Sequence, residues 1–196
     1  MKSIPLGLAL VLAFSPAAEA QDLDKGAAAY SRGDYAMAMR EWRPLAERGN
    51  VEAQFAVGNL YAEGLGVPED DAKAMRWFRK GVDQGNAHAQ YLLAIVYQNG
   101  NGIPQDDAEA VKWCHKAAEQ GYADAQGNLG YRYAFGRGVP QDYREAYIWY
   151  NLSVAGGNAY NRQFRDWAAE KLTPDQLLSA QREARKRWRR IKARKK

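Results

Sequence analysis

Residues 61–78 read YAEGLGVPEDDAKAMRWF, residues 97–114 read YQNGNGIPQDDAEAVKWC, and residues 133–150 read YAFGRGVPQDYREAYIWY. The three phrases are 36 residues apart, and their matching letters extend beyond the quoted windows. Ala53, Ala89 and Ala125 keep the same period, as do Gly85, Gly121 and Gly157. Within the phrases the fixed positions are a tyrosine, two glycines in G-x-G, a proline, an aspartate, an alanine and a tryptophan. Self-similarity at a fixed period of this length is the signature of a stacked repeat.

Each unit resolves into two helices. Ala53, Val57, Leu60 and Tyr61 fall at helical spacing and give the first helix one apolar face. That helix ends at the Gly64 position, where a left-handed cap favours glycine. The following proline forbids its continuation. Asp70, Asp106 and Asp142 are suited to cap the second helix. Asp106 with Glu109, and Asp142 with Glu145, have the three-residue offset of a capping box. Ala74, Trp77 and Phe78 share one side of that helix, so Trp77, Trp113 and Trp149 are expected to form a ladder in the core. Loss of one rung to alanine is then worth about 3–5 kcal/mol. Gly58, Ala94 and Gly130 occupy mid-helix positions, where glycine costs about 1 kcal/mol relative to alanine. Close approach of a neighbouring helix is the expected compensation. A pair of helices cannot bury such faces alone, but stacked pairs can.

This pattern resembles the Sel-1-like repeat, a relative of the tetratricopeptide repeat. The units run over 53–88, 89–124 and 125–160, with Arg132 departing from the pattern where Leu60 and Val96 stand. Residues Tyr30 to Ala38 look like a shortened, tetratricopeptide-like first unit without the G-x-G turn. The resemblance implies an all-α, right-handed α/α solenoid with a concave face lined by the first helices. It also implies a role in holding other proteins or cell-envelope components together.

The ends of the chain differ from the body. Residues 1–20 have a basic start at Lys2, an apolar run from Ile4 to Phe14, and small residues at Ala18 and Ala20. That is the layout of a secretory signal peptide. An exported protein is the expectation, in the periplasm of a Gram-negative bacterium or otherwise secreted. Residues 21–160 then form the repeat array and 161–196 the C-terminal capping helices with a basic tail. From Arg182 to Lys196 ten residues are Lys or Arg and one is acidic, which gives this tail +9 of a net charge of +5. Leu177, Ala184, Trp188 and Ile191 form an apolar stripe through the same segment. One reading is a cap that covers the end of the stack. The other is a basic amphipathic end, with Arg185, Arg187, Arg189 and Arg190, resting on anionic lipid or glycan. Export makes nucleic acid an unexpected partner.

No arrangement for catalysis or for a cofactor is visible. Cys114 is the single cysteine, stands where Phe78 and Tyr150 stand, and reads as a small core residue. His115 adjoins it, but neighbouring helix residues point about 100° apart. His88 shares a variable slot with Glu52 and Asp124 and reads as surface. Two histidines and one cysteine do not suit a structural zinc site. An enzyme is therefore not expected. The remaining candidate is the face of the first helices that varies between units. Asn59, Ile95 and Tyr131 share one slot there, and Glu63, Asn99 and Phe135 another. Tyr131 and Phe135 would anchor a protein or peptide partner, since aromatic residues dominate binding hot spots.

Overall fold

The computed structural model describes residues 16–100 and 103–194, so most of the expected leader lies outside the described residues. The described residues form helices in antiparallel pairs, with no strand among them. The pairs are α1 (Pro16–Ser31) with α2 (Tyr35–Glu47), α3 (Val51–Ala62) with α4 (Asp71–Asp83), α5 (Ala87–Asn99) with α6 (Asp107–Glu119), and α7 (Ala123–Phe135) with α8 (Tyr143–Ala155). A 3₁₀ turn at Ala159–Asn161 leads to α9 (Arg162–Ala169) and the long α10 (Pro174–Arg194). The second helices α2, α4, α6 and α8 start 36 residues apart. The irregular first unit is therefore in step with the others once its short turn is passed.

The caps explain this regularity. Asp34, Asp70, Asp106 and Asp142 each accept a backbone N–H from the first turn of the second helix they precede. The N–H groups of Asp70, Asp106 and Asp142 donate to the carbonyls of Tyr61, Tyr97 and Tyr133, at 2.9, 2.9 and 2.8 Å. This corrects the expected capping boxes. With the aspartate N–H already bonded, Glu109 pairs with Lys112 and Glu145 with Arg187. A reciprocal box does form at the start of α10. There Gln176 N–H donates to Thr173 Oγ1 at 3.3 Å, and Thr173 N–H to Gln176 Oε1 at 2.9 Å.

The mid-helix glycines mark close helix approach, as expected. A Cβ on Gly58 would collide with the edge of the Phe78 ring, and one on Gly130 would sit 2.6 Å from Tyr150. Gly26 stands in the same relation to Trp42 in the first pair. In the middle unit the slot holds Ala94, and the residue corresponding to Phe78 and Tyr150 is the small Cys114. Ring size in one helix thus varies inversely with the side chain it faces in the other. The second glycine of G-x-G has a different task. At Gly138, φ is +74°, and a Cβ would collide with the Asp107 carbonyl. Gly66 meets the Tyr35–Ala36 backbone in the same way, so the turns at Gly66 and Gly138 each rest on the start of the second helix in the preceding pair.

The tryptophan ladder requires correction. The fully buried position is the next one along, with Phe78 and Cys114 at 0 % exposure and Tyr150 at 2 %. Of the three tryptophans only Trp149 is buried, while Trp77 and Trp113 are half-buried. Lys80 Nζ lies 4.1 Å from the Trp77 ring centre and Lys116 Nζ 3.7 Å from that of Trp113. Adjacent helix positions diverge by about 100°, so the core takes one of each aromatic pair and leaves the other at its edge.

Glutamines join the units. Gln120 Nε2 donates to Gly85 O at 3.0 Å and to Gln90 Oε1 at 2.9 Å. Gln84 makes the corresponding bond to Gly49 O at 3.0 Å. In the third unit Gly156 stands at this position, and the buried Gln126 Oε1 has no hydrogen-bond partner. Gly156 has φ −79°, which any residue adopts. A Cβ there meets the Ala123 methyl at 3.1 Å, a tight contact that a small shift of the methyl relieves, and Gly156→Gln is expected to raise stability by up to about 1 kcal/mol by satisfying this acceptor. A urea midpoint that rises with unchanged slope checks this, and a lower midpoint counts against it.

Candidate functional site

α3 approaches the next first helix, α5, more closely than any two second helices approach each other. This agrees with the expectation that the first helices line the inner side of the stack. On this side Tyr131 and Phe135 of α7 are 47 % and 50 % exposed. Their ring centres are 4.8 Å apart. Phe135 stacks on Trp167 of α9 at 5.7 Å with ring planes 17° apart, and Tyr143 meets Trp167 edge-on at 5.6 Å. Trp167 falls within the expected C-terminal capping helices, and nothing in the sequence links it to Phe135. The link requires α9 to continue the row of first helices.

Tyr131 also borders a polar recess of about 200 Å³ with Asn99, Gln98 and Arg137. The structure thus brings together Asn99, Tyr131 and Phe135. Glu63 is exposed on α3's C-terminal side, and Ile95 is half-buried. Asn59 is half-buried and directs an unpartnered Oδ1 into the interior, so its slot is not uniformly outward. The departure at Arg132 has a structural explanation. Its side chain is 2 % exposed and donates to Gln98 Oε1 and Asn128 Oδ1, both at 2.8 Å, and to Asp107 Oδ1 at 3.1 Å. It ties α7 to α5 and α6 beneath the aromatic patch.

The C-terminal helix is a cap. Ala180, Ala184 and Ile191 are buried, and Leu177 and Trp188 pack against the core. Arg187 makes a bidentate bond to Glu145, with both contacts at 2.8 Å, and a third to Glu183 at 3.0 Å. Its guanidinium lies 5.2 Å from the Trp149 ring centre. Arg187 is thus part of the clasp and is withdrawn from the outward basic surface, while Arg185 and Arg189 are exposed. Arg190 stands 3.9 Å from Glu119. His115 lines a recess beneath α10 with Glu119, Glu145, Trp149 and Arg187, and burial lowers its pKa, with Arg187 acting in the same direction against Glu119 and Glu145. Burial pushes the Cys114 thiol up to about 12, so it is not poised as a nucleophile. His88 is half-buried, with Nδ1 3.3 Å from Glu52 and its ring tilted against Tyr122. No metal-binding group of histidines, cysteines and carboxylates occurs among the described residues. No described helix is long and apolar enough to cross a membrane.

Paired helices in register, joined edge to edge with a varied inner face, define an α/α-solenoid repeat protein. The sequence profile described as Sel1 repeat matches residues 51–86, 87–122 and 123–158, and the chain belongs to the Sel1 repeat family. It is similar to a Sel1 repeat protein from Oxalobacter formigenes, at 36 % identity over 71 % of this chain and 57 % of that one, with a TM-score of 0.55. It also matches c5321, a protective antigen of uropathogenic Escherichia coli displaying an SLR fold. That match has 26 % identity over 89 % of this chain and 48 % of the other, with a TM-score of 0.48. The chain spans about half the length of these structures, 57 % and 48 %. Curated protein sequences give no match. Sel1 repeat proteins are in general scaffolds for protein–protein interaction.

Proposed function

We propose that this chain is an exported, non-catalytic scaffold that holds a segment of a partner protein on the inner face of its helix stack. The carrying observation is the exposed pair Tyr131 and Phe135, fixed against Trp167 beside the polar recess at Asn99. Rigid aromatic side chains already in place lose little entropy on binding. The leader-like residues 1–20 support export, with the periplasm as the working compartment. Pull-down from envelope extract tests the groove. Tyr131→Ala with Phe135→Ala is expected to reduce capture of the specific partner by more than tenfold, as befits hot-spot aromatics. Equal capture of the same proteins by both forms contradicts the assignment.

A second reading rests on the outward side of α10. Arg182, Arg185, Lys186, Arg189 and Lys192 are exposed there, opposite the buried Ala180, Ala184 and Ile191. Because the apolar stripe is used by the cap, this surface would meet an anionic lipid or glycan through charge, without inserting. Such binding would fall with moderate salt and with Arg185→Glu plus Arg189→Glu, whereas binding in the aromatic groove would be little changed by either.

A further inference from the structure

The recess beneath α10 has a counterpart two units earlier. In the third unit it is formed by His115 and Glu119 of α6, Tyr133 at the end of α7, and Glu145 and Trp149 of α8, with the cap helix seated over it. Seventy-two residues earlier, the same positions create a recess of about 240 Å³ lined by Arg43, Tyr61, Lys73, Arg76, Trp77 and Lys80. The aromatic pair is retained, with Tyr61 for Tyr133 and Trp77 for Trp149. The charge changes sign at the central position and rises around it, while Glu47 keeps the carboxylate of Glu119 and is bonded to Arg43. Lys73 stands where Glu145 receives Arg187, Arg43 stands where His115 stands, and Arg76 and Lys80 replace Ile148 and Leu152.

The molecule itself shows how this kind of groove is used. In the third unit it takes an amphipathic helix of charge opposite to its own carboxylates. A guanidinium lies over the tryptophan and forms a bidentate pair with the glutamate. In the recess between α2 and α4 Trp77 is half-buried, with Lys80 over its ring at 4.1 Å. Lys73 is held at 2.8 Å by Asp70, and Arg43 at 3.0 Å by Glu47, both at the rim of the recess. Arg76 and Lys80 are exposed. In the middle unit the corresponding place is of mixed charge, since Glu109 there pairs with Lys112 at 2.7 Å. The run of cations is therefore local to the recess between α2 and α4.

We infer that the recess between α2 and α4 is a docking groove for an acidic amphipathic helix of a partner protein, seated on Trp77 and Tyr61 as α10 is seated on Trp149 and Tyr133. Its carboxylates pair with Lys73, Arg76 and Arg43. Apolar contact with the two rings supplies area, and the charge complement supplies orientation and rate of association. This site lies on the second-helix side of the stack and is independent of the aromatic groove on the inner side.

The test is fluorescence anisotropy with the full chain and a labelled peptide of residues 174–194. The peptide carries Arg187→Glu, Arg190→Glu and Arg194→Glu, with its other arginines and lysines replaced by glutamine. Saturable binding is expected, weakened at least tenfold by Lys73→Glu with Arg76→Glu in the protein and at least tenfold by moderate salt. The unaltered basic 174–194 peptide is expected to bind at least tenfold more weakly. Both substituted protein side chains are exposed, so the circular dichroism spectrum should be unchanged. Lack of saturable binding, equal affinity for the double variant, or equal affinity for the basic peptide overturns the proposal. Binding to vesicles of anionic phospholipid that depends on Lys73 and Arg76, in the absence of peptide binding, also overturns it and assigns the patch to a membrane surface.

Discussion

Trp149→Ala is expected to lower the free energy of unfolding by about 3–5 kcal/mol, the cost of truncating a large buried side chain. The same change at Trp77 or Trp113 is expected to cost about 1–2 kcal/mol, from partial burial and a lost cation–π contact. All three tryptophans occupy one position in the repeat, so the difference lies in what covers them. Trp149 has α10 above it and Arg187 against its ring, whereas Trp77 and Trp113 pack at the edge of the core with a lysine of their own helix over the ring. Trp149→Ala should also raise hydrogen exchange in residues 174–194, because the floor of the cap is gone. Chemical unfolding of the three variants checks this, and equal losses at the three positions would contradict the account of the cap.

The second large effect is at the helix interface of the middle unit. Cys114→Phe is expected to cost about 1–3 kcal/mol, since the new ring meets the Cβ of Ala94. Cys114 is fully buried, and Ala94 is 1 % exposed in the same cluster. Ala94→Gly alone should cost about 1 kcal/mol through helix propensity. Combined, the two changes reproduce the pairing seen at Gly58 with Phe78 and at Gly130 with Tyr150. The double variant should therefore be more stable than the sum of the single changes predicts, by about 1 kcal/mol. Simple additivity would show that the glycine and ring do not share a space.

The reach of the sequence can be seen at these same residues. The 36-residue period, the glycine–proline turn and the aspartate caps specify helix pairs because each has a local backbone cause. Residue identity alone did not separate Trp77 from Phe78. Both are large, aromatic and adjacent, and only the contact between helices decides which is enclosed. The period also contained Gln54, Gln90 and Gln126, together with Gln84 and Gln120, but polar letters at a fixed spacing read as surface until their bonds between units are seen. Glu145 fitted a capping box by spacing, yet its partner Arg187 lies 42 residues away on a helix whose charge masked its packing role. The aromatic groove was half legible. Tyr131 and Phe135 were identifiable as variable, outward residues, while Trp167 joins them only through the tertiary position of α9. The charge inversion at Lys73 was present in the aligned letters. It acquires meaning once Glu145 is seen to hold a docked helix.

The central functional claim is that the inner face at α7 and α9 is the surface on which a partner protein rests. It is tested most directly by placing a photo-crosslinking phenylalanine at position 135, and separately at position 185 on the exposed side of α10, then irradiating cells that make the protein. A discrete protein adduct from position 135, lost when Tyr131→Ala is added and absent from position 185, is the predicted result. Adducts of equal yield from both positions, or an adduct at 135 that persists without the Tyr131 ring, would contradict it.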